Sequence, residues 1–448
     1  MTTNAITTAY LAEVSRQGMH ANELLDAAKR SFDVSATSYF GRMMTRPVFL
    51  DHAEFAALRH DISFLHSVLT DLPRRLFGGD IAAFGRAVGL TEAQVAAVVR
   101  SRDDAPTSVG RADFYRDETG FRVLEVNMGS TTGGMDNAYF NRAVLTHPLV
   151  AEFAAAHKLS FIDSMAVLAD TMRAECQIPA GSRPLVAAAD WPESFPSIES
   201  LLTYSATYLS SFGMDVVACH LGQLSFHDGR VWLDGRPVDI VYRVFMIEDL
   251  LHPDGPGLIN PVLDAVERGE VKIFTPMDAD LYGSKGALAL LSDEANRHRY
   301  DAGELGHLDR ILPWTRMVRP GHVTVDDERV DLGEYAIARR EELILKPTAM
   351  HGGIGVVPGW LTEPDDWHRQ LTAAVRGPFV LQRRIRPSDE LFPTDGEPEP
   401  WVVAWGVFMA MDGYNGLLAR GSTDPGGGVI NMATGASATC CFHQAEPE

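Results

Sequence analysis

Cysteine is scarce in this 448-residue chain: Cys176, Cys219, Cys440 and Cys441 are the only four. None forms a CxxC pair, which argues against a zinc site, and so few thiols suit a reducing compartment. The adjacent Cys440 and Cys441 read as packing residues. Long apolar runs are missing too. No stretch reaches the roughly 18–20 residues of a membrane span, and the first residues lack a basic segment followed by an apolar core. A soluble cytoplasmic protein with no membrane partner is expected. Basic residues are in deficit, 39 against 60 acidic ones, giving a net charge of −21. That average field repels a duplex of phosphates, so no nucleic-acid partner is expected. A small phosphate ligand would need locally clustered Lys, Arg or Mg²⁺.

Several familiar catalytic signatures are absent as well. The chain has no GxSxG nucleophile elbow, no HExxH, no P-loop and no Rossmann GxGxxG. His60, His66 and His157 stand singly in helical segments and read as structural.

What remains is an ordinary globular composition, 46% hydrophobic, over a length that calls for two or three domains or one large composite enzyme. Residues 1–105 read as mostly helical, with helices over 21–32 and 91–100 and a capping box from Thr91 to Gln94. GRADFYRDETGFRVLEVN (110–127) reads as a β-hairpin turning at 117–120, followed by a helical stretch to about Cys176. Segments 184–190, 203–212 and 214–220 read as strand, helix, strand, and a hairpin then leads into a third strand. This is the βαβ pattern of a parallel layer, over 181–275. From Lys272 come a strand, a Lys-bearing helix near 284–291, the strand ELILKP, a glycine-rich turn and the strand PFVLQRRI. Residues 387–400 read as a loop, and 401–422 and 427–435 as closing strands.

Six places carry candidate chemistry. In a strand Glu125 and Asn127 share a face, and pairing across the turn adds Arg111 and Asp113 to it. Carboxylate and amide oxygens are hard ligands suited to Mg²⁺, and a guanidinium beside them binds phosphate or carboxylate. Lys346 ends an apolar strand just before Gly352, Gly353 and Gly355, whose backbone N–H groups can approach phosphates. Lys285 opens a helix, against the dipole, which makes sense beside an anion. Gln382 is the polar residue of a strand suited to hold a nucleobase. Arg243 and Glu248 follow a strand of the parallel layer, where charges often face a ligand crevice. Arg420, and the small polar residues of 431–437, are placed to frame a substrate or phosphate. Each motif also has a plain structural reading: a solvated hairpin face, a flexible turn, a surface lysine.

Together and in this order, these pieces resemble the glutathionylspermidine synthetase-like, circularly permuted ATP-grasp family. GRADF and LEVN look like its Arg-x-Asp-Phe and Leu-Glu-x-Asn elements; IVYRVFMIED, TPMDADLYGSKGALALL and LILKPTAMHGGIGV are similar to its later ones. The likeness covers roughly residues 109–440, with the Glu-x-Asn element ahead of the two lysines. It implies an α/β (α+β composite) ATP-grasp fold, circularly permuted, with a Rossmann-like layer and a helical N-terminal region. The implied division is a helical region at 1–105, a first core segment with the metal motif at 106–180, and the Rossmann-like substrate layer at 181–275. The lid and hinge follow at 276–390, and a return to the core at 391–448.

The implied activity is an ADP-forming carboxylate–amine ligase using ATP and Mg²⁺, joining a small acid such as an amino acid or peptide to an amine. A natural-product pathway and a homodimer are compatible with it. Asp113, Glu125 and Asn127 would hold the metal, and Arg111 would stabilise the acyl phosphate. Lys285, Lys346, Gly352, Gly353, Gln382 and Glu248 would hold the nucleotide; Ser130, Thr132, Arg243 and Arg420 would contact substrate. The chain departs from the family at MGSTTGG (128–134), where an Ala-Asp-Thr-Pro type of loop is usual, and at Arg383 and Arg384, where a hinge acid is usual. The amidase domain of some bifunctional relatives is not seen, so a paired hydrolase is not expected. A small-molecule kinase and a non-catalytic nucleotide-binding module are the other readings of the same residues.

Overall fold

The structure, a computed structural model, describes residues 4–33, 35, 37, 41–102, 105–129, 132–350, 352–411, 413–424, 429–432 and 435–444. Of the five sheets among the described residues, three position the site. The largest has eight strands. Its main path runs Val48–Leu50, Ser437–Gln444, Gly413–Ser422, Glu399–Ala410, Gly110–Asp117, Gly120–Met128. Glu390–Phe392 pairs beside Glu399–Ala410, and Leu159–Ser160 beside Ser437–Gln444. Alternation along these strands sorts the side chains. Ala112, Phe114, Val123, Val126, Trp405, Val407 and Leu417 go to a large apolar core shared with the helix His52–Thr70. Arg111, Asp113, Glu125 and Arg420 go to the opposite face.

The second sheet is wholly parallel, in the order Lys272–Phe274, Ile240–Arg243, Leu185–Asp190, Asp215–His220. Its strands are short apolar runs joined by helices such as Phe195–Ser210, as a buried parallel layer requires. The third is antiparallel: Thr315–Met317, Phe379–Arg383, Leu343–Pro347, Val357–Pro358. It has its own small core around Trp367, Leu343, Leu345 and Leu381. The mixed α/β class is as expected, and so are the hairpin at 110–128 and the capping box at Thr91.

Among its described residues the N-terminal region is mostly helical, as expected, with one addition, and two other readings of the sequence are corrected. The N-terminal helical region also contributes the strand Val48–Leu50, parallel to Ser437–Gln444. Three residues are too few for periodicity to reveal, and the pairing spans nearly the whole chain. Residues 387–400 are not all loop: Glu390–Phe392 is a strand, with Glu390 buried and paired to Arg46 and Arg116. The closing strand is Ser437–Gln444, whose β-branched, cysteine and aromatic side chains at 438–442 fill the core; of the expected strand 427–435, residues 427, 428, 433 and 434 lie outside the described residues, and 429–432 and 435 form no strand.

Candidate functional site

The hairpin register builds the site. Arg111 stands opposite Asn127 and Asp113 opposite Glu125. The pairing then shifts so that Phe114 faces Val123, leaving Leu124 as the extra residue of a bulge. A bulge frees backbone groups from the ladder, and here the Leu124 carbonyl accepts from Lys346 Nζ at 3.1 Å. One strand further over, Gly406 stands opposite Asp113, and Leu418 opposite Gly406. A Cβ at Gly406 would lie 2.8 Å from Arg111 Cδ and 3.0 Å from Asp113 Oδ1. Only glycine lets Arg111 and Asp113 lie flat across that strand.

Charges then pair across the floor. Arg111 grips Asp113 through two nitrogens, Nε to Oδ1 at 2.7 Å and Nη2 to Oδ2 at 3.0 Å. Its remaining Nη1 donates to the Gly133 carbonyl at 2.6 Å. Arg420 Nη2 takes Asp113 Oδ2 at 2.7 Å from the far side, and Asn127 Nδ2 approaches the same oxygen at 3.4 Å. Glu125 pairs with Lys285 at 3.1 Å. Burial alone would push both carboxyls up. The guanidiniums of Arg111 and Arg420 outweigh it at Asp113, and Lys285 and Lys346 outweigh it at Glu125, so both stay below the usual carboxylate range.

Lys346 comes from the third sheet. Along Leu343–Pro347, Leu343 and Leu345 enter the small core, while Ile344 and Lys346 face the cavity. Lys346 Nζ donates to Gln382 Oε1 at 2.7 Å, and Gln382 Nε2 donates to Thr315 Oγ1 at 3.2 Å, so the amide orients the ammonium. Burial lowers the Lys346 ammonium to about 8, against the pull of Glu125. Lys285 begins the helix Lys285–Ser292 behind an N-cap, Ser284. The N-terminal region clamps that helix start. Ser284 Oγ donates to the Val88 carbonyl at 3.3 Å, and a Cβ on Gly286 would lie 2.9 Å from Val88 Cα. Lys285 Nζ also donates to the Met350 carbonyl at 3.0 Å.

These groups line or touch one cavity of about 360 Å³, within the range of small-molecule sites. The glycine-rich turn covers it. Gly352, Gly353 and Gly355 have φ of 65°, 80° and 72°, the left-handed region that glycine adopts freely. Asn431 Nδ2 donates to the Gly352 carbonyl, and Val429 lies 3.3 Å from where a Gly353 Cβ would be.

Of the residues singled out in the sequence, Arg111, Asp113, Glu125, Asn127, Lys346, Gly352, Gly353, Gln382 and Arg420 line this cavity. Lys285 reaches it through Glu125. Thr132 bonds back to the hairpin end, Oγ1 to the Asn127 carbonyl at 3.4 Å, next to the cavity-lining Gly133. Ser130 and His351 lie outside the described residues.

Arg243 is not brought to the cavity. It is wholly buried, donating to the Thr275 carbonyl and to Asp280, each at 2.7 Å. The end of its strand is covered by the segment 275–280 and by Gly129, so the strand-end charge turns inward and supports the loop from below. Glu248 lies on the turn Ile247–Leu251, also away from the cavity wall. Tyr115, Trp360 and Ile430 line the wall and were not foreseen; Met432, which also lines it, lies in the segment 431–437 expected to frame a substrate. Tyr115 was within reach, because alternation carries the Arg111, Asp113 face one step further. Trp360, against which Arg384 stacks at 4.1 Å from the ring centre, carries no local signal.

Among the described residues no helix is long and apolar enough to cross a membrane. No family model matches the chain, and no curated protein matches it in sequence. Among solved structures it is similar to a protein named as a gamma-glutamylcysteine synthetase from Methylobacillus flagellatus KT. That match has 12% identity over 86% of this chain and 88% of the other, at a TM-score of 0.43 that supports no argument. It is also similar to a glutathione synthetase-like effector, GSS30, from Globodera pallida in its apo form. There 94% of this chain and 96% of that one align at 12% identity with a TM-score of 0.58, a likeness of fold over essentially the whole chain.

Proposed function

We propose that this protein is an ATP-dependent carboxylate–amine ligase of the ATP-grasp kind, with the ATP-grasp parts in circularly permuted order. It would activate its acid as an acyl phosphate and release ADP and phosphate. One observation carries the reading. Two lysines from different elements, Lys285 and Lys346, converge on Glu125, whose own hairpin presents Asn127 and the gripped Arg111 to the same cavity. The likeness of fold to a glutathione synthetase-like effector agrees with it.

The donor set fits a hard divalent cation such as Mg²⁺. Glu125 and Asn127 offer a carboxylate and an amide oxygen on one face of a strand, and Asp113 lies opposite. Glu125, Asn127 and Asp113 would hold it, Asp113 being the least available because Arg111 and Arg420 already occupy its oxygens. When bound, the cation supplies Lewis-acid polarisation of the phosphoryl group being transferred.

The chain's own residues do the rest. Lys346 and Lys285 bind the nucleotide phosphates, with Gln382 holding Lys346 in line and facing the base. Arg111, fixed by Asp113 and the Gly133 carbonyl, is aimed before reaction at the negative charge that develops on the acyl phosphate. Gly352 and Gly353, latched to Asn431, exclude water that would hydrolyse it. The acid's carboxylate oxygen attacks the γ-phosphorus and ADP leaves; the amine nitrogen then attacks the carbonyl carbon, losing a proton as phosphate departs.

The test is ADP release from Mg-ATP with acids and amines offered singly and in pairs. A ligase forms amide, ADP and phosphate in equal amounts only with both substrates. A stable phosphorylated acid formed whether or not amine is present would make the protein a kinase.

A further inference from the structure

The floor of the cavity changes character from strand to strand. Glu125 and Asn127 lie on Gly120–Met128, nearest to Lys346; Arg111 and Asp113 lie on Gly110–Asp117; Gly406 and Ala404 on Glu399–Ala410; Leu418 and Arg420 on Gly413–Ser422. Strands in a sheet are about 4.8 Å apart, so the backbones of Arg111 and Leu418, two strands apart, are separated by about 10 Å. Between them Gly406 lies beneath the Arg111 and Asp113 side chains, Phe408 stands opposite Arg111, and Ala404 lines the cavity. Beyond them the wall is Gly133, Gly134, Leu201, Leu418, Ile430 and Met432. Leu418 and Met432 are buried and Ile430 half-buried.

We infer that this end holds the acid substrate, and that the acid carries a bulky apolar side chain, aliphatic or aromatic. The inference rests on the ligase reading above and narrows it. With its carboxylate at Arg111, on the side facing the nucleotide lysines, the acid would extend past Ala404 towards Leu418, Ile430 and Met432. A second charge on that side chain would be buried there. Among the described residues the ionisable side chains lining this end are Asp113, Arg111 and Arg420, which are bound to one another, the Tyr115 phenol opposite Ala404, and Asp424, exposed at the edge. An unpartnered buried charge is strongly unfavourable, whereas each buried methylene is favourable. An acidic or hydroxylated side chain is therefore rejected and a long apolar one retained.

Hydroxylamine serves as the test amine, because it traps an acyl phosphate as a hydroxamate and the natural amine need not be known. The full-length protein with Mg-ATP is offered leucine, phenylalanine and straight-chain fatty acids against aspartate, glutamate and lactate. Hydroxamate should form with the apolar acids at kcat/KM values at least about tenfold higher, the lower end of what one methylene achieves in an apolar pocket. Ile430→Lys, on the half-buried wall, should lower the apolar rates by about tenfold or more and leave Mg-ATP affinity within about twofold. Equal or faster reaction of the polar acids, or an Ile430→Lys variant with undiminished apolar rates, overturns the inference and leaves the ligase reading standing. Failure to bind Mg-ATP, or ADP release that no acid stimulates, brings down the ligase reading and this inference with it.

Discussion

Replacing Lys346 by Met keeps most of the length of the side chain and removes its charge, and three consequences follow from where it sits. The ammonium is buried, held by Gln382 and the Leu124 carbonyl, and drawn down to about 8. A charge-assisted hydrogen bond to a phosphate is worth about 1.5–3 kcal/mol, so Mg-ATP should bind the variant roughly 10- to 150-fold more weakly. Glu125 keeps Lys285 at 3.1 Å, so the fold should survive, which circular dichroism and thermal melting check.

The second consequence concerns pH. An anion binds the protonated lysine, so binding in wild type should weaken as pH rises through about 8 and lose about tenfold per pH unit above it. At pH 8 the free lysine is about half protonated, so nucleotide binding should take up close to half a proton. Calorimetry in two buffers of different ionisation enthalpy reads that proton directly. The third consequence is that the variant should show neither the slope nor the uptake. A flat wild-type profile between pH 7 and 9.5, or the same slope in both proteins, would refute Lys346 as a phosphate ligand.

Other substitutions probe the rest of the cavity. Glu125→Gln should abolish turnover with the fold intact. Because the folded state depresses the Glu125 pKa, its contribution to stability is present above the ordinary carboxylate range, near about 4.3, and lost as pH falls below it. The variant should therefore show a shallower acid limb in a plot of melting temperature against pH, and an unchanged limb would contradict the pairing with the two lysines. Gly406→Val should push Arg111 and Asp113 off the floor, cutting turnover at least about tenfold while Mg-ATP binding holds. Normal turnover would show that their alignment is unimportant. Asn431→Ala releases the tie to the Gly352 carbonyl, so acyl phosphate should leak to water, read as ADP formed in excess of amide. Tight coupling in that variant would remove Asn431 from the closure.

The sequence exposed those parts of the site that share one strand or one hairpin. Glu125 and Asn127 on one face, with Arg111 and Asp113 across a polar turn, follow from alternation alone, and the register places them so. Lys346 and Gln382 were legible as strand residues, but their contact depends on the pairing of Leu343–Pro347 with Phe379–Arg383, which local pattern does not fix. Arg243 misled because a charge at a strand end faces either a crevice or a covering segment, and Asp280, 37 residues on, decides which. The roles of Val88 against Gly286, and of Val48–Leu50 beside Ser437–Gln444, come from contacts across hundreds of residues. Gly406 was legible only in hindsight: a glycine in a 12-residue strand marks a close approach, but nothing local names Arg111 as the group that approaches.

The central claim is that the acid is activated by phosphorylation in this cavity, and an oxygen label tests it most directly. An acid that supports ADP release is prepared with ¹⁸O in both carboxylate oxygens and turned over with Mg-ATP and an amine. Attack of the carboxylate on the γ-phosphorus, followed by cleavage of the C–O bond by the amine, transfers one ¹⁸O to each phosphate released. Phosphate carrying one labelled oxygen per amide formed is the expected result. Unlabelled phosphate, or the label recovered in AMP, would contradict it.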